Sequence, residues 1–517
     1  MNNILAFISL PLLLLHQGEP EPFRQSQFLF QPISKPLSEQ KTELATRQLA
    51  APFEPTSYQL TTGGKTPASL TTVSPHNQVS QNQDDLITGT ITSIQGSAER
   101  MISYRHQKHM WLTPDGAMHV FVNLGNNAQG ASLTLYSSFD RGITWNPMLE
   151  LPNTNDQSTS DGFLINKTLR IVYSSSTGGI FFSELNYDVV QKTWSYTPPT
   201  TVYQGIYYTA SSPTITIDAN KNLWVGFVAQ QISTRGSFIR LSNSLDRGVS
   251  WTDTQINLGV TSTSTRKNAR LIALGDRVGA IYTNDTTINW AYRMNDWSTT
   301  TPWQTQQIFQ HQSIADVDPF ASHFSVVVDR LKNIHFVTKN EGRLLYLRFN
   351  SQNQNWDNPR ILSGETSVRY VQISISLDQK LLILANRYNK IALYESSDHG
   401  DNFYLTKLLK SPLASSPPSG GLDVDSSQPR MESPTVVNNT LPVLQQFQQE
   451  GSQGLIYFNI DLDNQSSQLT TSGQRILPSL PAGFINNPPV VPNSDTDVPS
   501  CYMESNGRTL DLSLLCR

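Results

Sequence analysis

Several side chains suited to proton transfer or anion capture stand at or beside the openings of short apolar strand candidates. They are His109, Asp161, Arg270, His323, Tyr370 beside Arg369, and Arg430 with Glu432. Histidine and tyrosine can take and return a proton, while guanidinium groups hold a carboxylate or sulfate through paired hydrogen bonds. On that chemistry Arg266, Arg270, Arg369 and Arg430 form a candidate anion clamp. His109 or His323 would act as base and Tyr370 as acid, with Asp161 and Glu432 binding ligand or balancing the arginines. Singly, each has a plainer reading as a hydrogen-bonded rim residue or a packing residue. Convergence on one place is what the catalytic reading requires.

A second set points to binding without chemistry. Tyr203, Tyr207 and Tyr208 flank a glycine-containing loop, and Trp290 and Trp297 lie one repeat later. Exposed together, such rings would form a platform for sugar stacking. Buried, they would fill gaps between repeats.

These residues are positioned by a repeat. Ser138-Phe-Asp140-Arg-Gly142-Ile-Thr-Trp145 and Ser244-Leu-Asp246-Arg-Gly248-Val-Ser-Trp251 share one pattern, and Ser396-Ser-Asp398-His-Gly400-Asp-Asn-Phe403 is a near variant. Trp194, Trp303 and Trp356 occupy the degenerate copies between them, so an aromatic recurs roughly every 50 residues, a propeller-blade period. Within each period an apolar strand, a turn and two further strands precede the aromatic. The near-continuous apolar runs of the first two strands fit burial on both faces. In the aspartate turn the carboxylate can accept backbone N–H bonds, and the glycine suits a positive φ. Asp140, Asp246 and Asp398 are therefore expected to be structural. Six repeats end near Leu405. Pro434–Val437, Leu441–Gln446 and Leu455–Ile460 supply strands for a seventh, with the segment before the first repeat, about Ile87–Ile91 and Arg100–Tyr104, supplying its fourth and closing the ring. The fold expected is an all-β propeller of four-stranded antiparallel blades, seven preferred over six.

The composition agrees. The chain has 517 residues, 37% hydrophobic and only 15% charged, with a net charge of -4. That balance gives no electrostatic reason to bind nucleic acid. The apolar run Ile4–Leu15 is too short to span a bilayer and reads as a signal-peptide core or N-terminal anchor over residues 1–17. Residues 18–85 read as a disordered Gln/Ser/Pro-rich segment, 86–463 as the propeller, 464–500 as a Pro/Asn/Ser-rich linker, and 501–517 as a small tail bracketed by Cys501 and Cys516. The two cysteines either close a loop or remain thiols. No metal-ligand cluster, phosphate-binding glycine loop or serine triad is legible, so no cofactor or metal is expected.

The aspartate turns and the strand order resemble the BNR/Asp-box superfamily, which includes sialidases and several unrelated propellers. The resemblance covers about residues 100–460. It implies the propeller fold and, for a sialidase, an arginine triad with a tyrosine–glutamate nucleophile pair. The nearest match to the family's (Phe/Tyr)-Arg-Ile-Pro motif, Tyr104-Arg105-His106-Gln107, lacks the Ile-Pro. The polar set of His, Tyr and Arg resembles the centre of propeller polysaccharide lyases. The Cys-bracketed tail resembles that of secreted or envelope-associated cyanobacterial proteins. The expected function is exported glycan or extracellular-ligand binding without catalysis, at the cell surface, in the periplasm or outside. The alternatives are a sialidase-like hydrolase, a uronate lyase, and a structural role in the envelope.

Overall fold

The computed structural model describes residues 89–462 except 103, 126–131, 263–266, 285, 299–300, 312–323, 364–365, 388–389, 411–429 and 450–451, together with Thr71–Thr72, Asp85–Leu86, Tyr502–Ser505 and Arg508–Asp511. All belong to the second of two compact units, Pro67–Arg517. The apolar run at residues 4–15, His323, Arg266, the arginine side chain at 369, Cys501 and Cys516 lie outside the described residues.

The described chain is a seven-bladed propeller. Blade 1 runs from Met110 to Glu150, blade 2 from Ser160 to Tyr203 and blade 3 from Tyr208 to Ser262. Blade 4 runs from Ala269 to Gln310, blade 5 from Phe324 to Ile361 and blade 6 from Val368 to Lys410. Each is an antiparallel meander. In blade 2 the outermost position is shared by two short strands, Thr193–Tyr196 and Thr200–Tyr203, both paired to Ile180–Asp188.

Burial explains which residues form which strand. In blade 6 the second strand Leu381–Arg387 is buried throughout, because sheets cover both of its faces. The outer strand Tyr404–Lys410 is mostly exposed or half-buried. Along the innermost strand, Val371, Ile373 and Ile375 pack toward blade 5. Tyr370, on the other face, packs toward blade 7. Period-two alternation thus serves two interfaces at once.

Blade 7 joins the two ends of the domain. Met431–Glu432, Thr440–Gln449 and Ser452–Asp461 are followed spatially by the N-terminal strand Thr90–Gly96. Ile94 of that strand is fully buried among Met101, Val120 and Leu455. Full burial of such a side chain stabilises by roughly 1.5–3 kcal/mol. The expected closure therefore holds, with two corrections. Arg100–Tyr104 is not a strand: it belongs to the bends and turns that lead to the propeller centre. Pro434–Val437 is not the innermost strand of blade 7, a place taken by Met431–Glu432. Pro434 has no N–H for a ladder, and Val436–Val437 instead runs parallel to Ile375–Ser376 of blade 6.

The aspartate turns stand at the lower face, where third strands pass to fourth strands. In blade 1, Asp140 accepts bonds from Ser138 Oγ (2.9 Å), Thr144 N (2.9 Å) and Thr144 Oγ1 (2.6 Å), while Ser138 Oγ accepts from Gly142 N (2.8 Å). Blade 3 repeats the arrangement with Asp246, Ser244 and Ser250, and blade 6 with Asp398, Ser396 and Asn402. These bonds hold all three carboxylates below the usual carboxylate range, Asp246 at about 2. The glycines have φ of 87°, 95° and 84° at Gly142, Gly248 and Gly400. Each also lies against a ring of the preceding blade, Tyr457, Phe182 and Tyr346 respectively, with no room for a Cβ. The turn is thus a clasp between blades as well as a local fold. Trp145 is buried, and Trp251 and Phe403 are half-buried, beside their turns.

Candidate functional site at the propeller axis

The segment Arg105–His109 connects the closing strand of blade 7 to the innermost strand of blade 1. Its five residues are all polar, and none is more than 3% exposed. It is a plug at the upper end of the axis, the end where innermost strands begin. It touches every other blade. Lys108 N donates to Asp161 Oδ1 of blade 2 (2.7 Å), and Gln107 Nε2 donates to the Pro213 carbonyl of blade 3 (2.8 Å). Arg270 of blade 4 donates to the His106 carbonyl (3.3 Å), and Lys108 Nζ crosses to Ser325 Oγ of blade 5 (3.2 Å). The Arg105 guanidinium stacks 3.3 Å from the centre of the Tyr370 ring of blade 6. His109 Nδ1 meets Glu432 Oε2 of blade 7 at 3.2 Å.

Short side chains around the plug clip neighbouring innermost strands together. Ile215 N donates to Asp161 Oδ2 (2.8 Å), Leu271 N to Thr214 Oγ1 (3.3 Å) and Ile373 N to Ser325 Oγ (3.3 Å). Ser374 Oγ donates to the Pro434 carbonyl (2.7 Å), and His109 N to Glu432 Oε1 (3.4 Å). The innermost strand of a blade has a free ladder edge, and its buried N–H groups require partners. The ring supplies them.

The structure thus brings His109, Asp161, Arg270, Tyr370 and Glu432 to one end of the axis, with Asp161 balancing an arginine. His109 is held by Glu432, and no hydrogen bond joins it to Tyr370 among the described residues. Arg270 forms an ion pair with the fully buried Asp161, so the pair is internally neutralised. Tyr370 is buried, which pushes its phenol up to about 12, with Arg105 opposing and Glu432 reinforcing the shift. Arg430 lies 3.8 Å from the exposed Glu99, and burial followed by Arg100 lowers its guanidinium pKa.

Four members of the plug went unmarked as site residues in the sequence: Arg105, His106, Gln107 and Lys108. Their signal was the unbroken polar run Arg105–His109 directly before an apolar strand. Burial, with Arg270 and His109 nearby, drives the His106 imidazole well below its usual value and keeps it neutral. Its ring packs between Tyr104 and Phe324 at 5.6 and 5.4 Å. Burial lowers the Lys108 amine to about 8, against the raising influence of Glu432 and Asp161.

The aromatic platform does not assemble. Trp290 is only 1% exposed and packs on Trp356, and Tyr203 is also buried. Both fill space inside the sheets, where their apolar area is worth most. Tyr208 and Trp297 are half-buried. Tyr207 remains 69% exposed beside exposed Ile206, and its carbonyl accepts from the N–H of exposed Ile232 (3.0 Å). Among the described residues no group of three His, Cys, Asp or Glu is placed to hold a metal, and no helix is long and apolar enough to cross a membrane.

No family model matches the chain, and no curated protein matches it. Solved structures do. Polysaccharide lyase Uly1 is 11% identical with a TM-score of 0.41, covering 75% of this chain and 94% of its own. The Aleuria aurantia lectin is 10% identical with a TM-score of 0.38, covering 61% and 99%. An alpha-L-arabinofuranosidase from Fusarium graminearum is 10% identical with a TM-score of 0.36, covering 74% and 98%.

Proposed function

We propose that this chain is an exported, sialidase-like propeller of the Asp-box type that binds glycans or other extracellular ligands without catalysis. One observation carries the reading: His109, Asp161, Arg270 and Glu432 at the axis are engaged as plug anchors and blade clips. Asp161 serves Lys108 N, Ile215 N and Arg270 together, and Glu432 holds His109. A general base has to reach substrate with its proton-accepting atom available. Ligand contact then falls on the upper rim, where Tyr207 offers an exposed ring for stacking on a sugar. Export rests on the apolar run Ile4–Leu15.

The test uses the purified full chain on a glycan array and, in parallel, on sialosides and uronate-containing polysaccharides. Retention without product, with retention lost in Tyr207→Ala, is the expected result. Turnover abolished by His109→Gln or Tyr370→Phe would overturn it. That outcome would favour the enzyme reading, which rests on His106 and His109 Nε2 being buried without hydrogen bonds beside Arg270.

A further inference from the structure

Below the plug, the innermost strands enclose an axial cavity of about 240 Å³. Its wall is mainly aliphatic, with Met110, Ile215, Leu271 and Val327 contributed by four different blades and Val437 by the short strand alongside blade 6. Exposure rises along it. Lys108, Met110 and Ile215 at the upper end are buried, Leu112, Ile217 and Val328 are half-buried, and Pro114, Asn166 and Asn438 at the lower end are exposed. The cavity is therefore sealed by the plug above and opens at the lower face. Two cationic side chains, Lys108 and Arg270, line its sealed end.

The two cations are differently placed. Arg270 is matched by Asp161, while Glu432 meets His109 Nδ1 and also acts on Lys108 from nearby. The Lys108 ammonium has one hydrogen bond, to the neutral Ser325 hydroxyl, and so uses one of its three donors. A cation buried with spare donors at the blind end of an aliphatic tube favours an anion carried on an apolar chain. From this placement we infer that the axial cavity binds an unbranched aliphatic carboxylate, its head on Lys108 and Arg270 and its chain between the innermost strands. At about 240 Å³, the cavity has the scale of a medium-length chain. The site is separate from the rim proposed for glycans.

The charged groups acting on Lys108 are Glu432 of blade 7, Arg270 of blade 4 and Asp161 of blade 2. Of the cationic pair only Lys108 loses its charge as pH rises through about 8, and a bound carboxylate would move that loss upward. Carboxylate affinity is therefore highest below this range and falls above it.

Calorimetric titration of the full chain with decanoate, with decanol as the neutral control, tests the inference. Near neutral pH decanoate should bind, and affinity should fall about tenfold or more by about pH 10. Lys108→Met should weaken decanoate about tenfold near neutral pH and flatten the pH profile. Thr216→Trp, at the half-buried lower part of the wall, should block binding without touching the cations. No binding of decanoate by folded protein near neutral pH would overturn the proposal, as would decanol binding as tightly, or undiminished binding to a folded Thr216→Trp protein. If Lys108→Met fails to fold, the mouth variant and the decanol comparison still decide.

Discussion

The aspartate turns of the lower face and the polar ring of the axis use the same residue types to opposite ends. At the turns, Asp140 is satisfied by Ser138 and Thr144, each within four positions of it. At the axis, Asp161 is satisfied by Lys108, Ile215 and Arg270, the last 109 positions away. The turn carboxylate is only half-buried, so water can reach it when a bond is lost. The axial carboxylate is sealed, so each partner it holds would otherwise be a buried, unpaired polar group. A local motif is tolerant and repeats. A convergent one is intolerant and occurs once.

The largest test of this contrast is Asp161→Ala. It strands the Arg270 charge and two backbone N–H groups in one step, and a loss of about 3–5 kcal/mol is expected from urea unfolding. A loss under about 1 kcal/mol would mean that the axial ring is wetter than its burial indicates.

Next comes acid sensitivity at His119, which links the blade 1 sheet to the degenerate turn of blade 2. Its ring meets Thr113 Oγ1 (3.0 Å) and Ser137 Oγ (2.7 Å), and Trp194 Nε1 approaches its Nδ1 (3.2 Å). Burial lowers His119 from 6.5 to about 4, with Asp115 opposing. The unfolded chain therefore takes up this proton first as pH falls. The contribution is fully present above about pH 6.5 and is lost between there and about pH 4. Its size is about 3 kcal/mol. His119→Gln should flatten the stability profile across that window, and an unchanged slope would remove the assignment.

Gly248→Ala follows, at about 2 kcal/mol. A Cβ there meets the Phe182 ring and occupies a φ of 95°, so strain and overpacking add. Asp140→Ala should have the smallest effect, a fall of a few degrees in Tm, because its bonds are solvent-accessible. If Asp140→Ala costs more than Asp161→Ala, the contrast between the two regions is wrong.

Legibility followed the same division. The propeller, its repeat length, its aspartate turns and its closure by an N-terminal strand were readable because each rests on period-two burial or on bonds within a few residues. Arg100–Tyr104 and Pro434–Val437 were misread as blade strands, since apolar content alone cannot say which sheet a short segment joins. Trp290 was left between platform and gap-filler because an aromatic in a strand looks alike from either face. Asp161, His109 and Arg270 were correctly placed at strand openings, but their partners were not legible.

By itself the sequence determined the blades, their outer turns and the residue types that reach the centre. Only the tertiary structure decided what those residues do there. Arg105–His109 acquires meaning when six other blades close around it, burying its charges and assigning each to a different neighbour. Partners separated by the length of several blades leave no spacing for a sequence to display. What selects them is burial, which makes any unpaired charge at the axis too costly to retain.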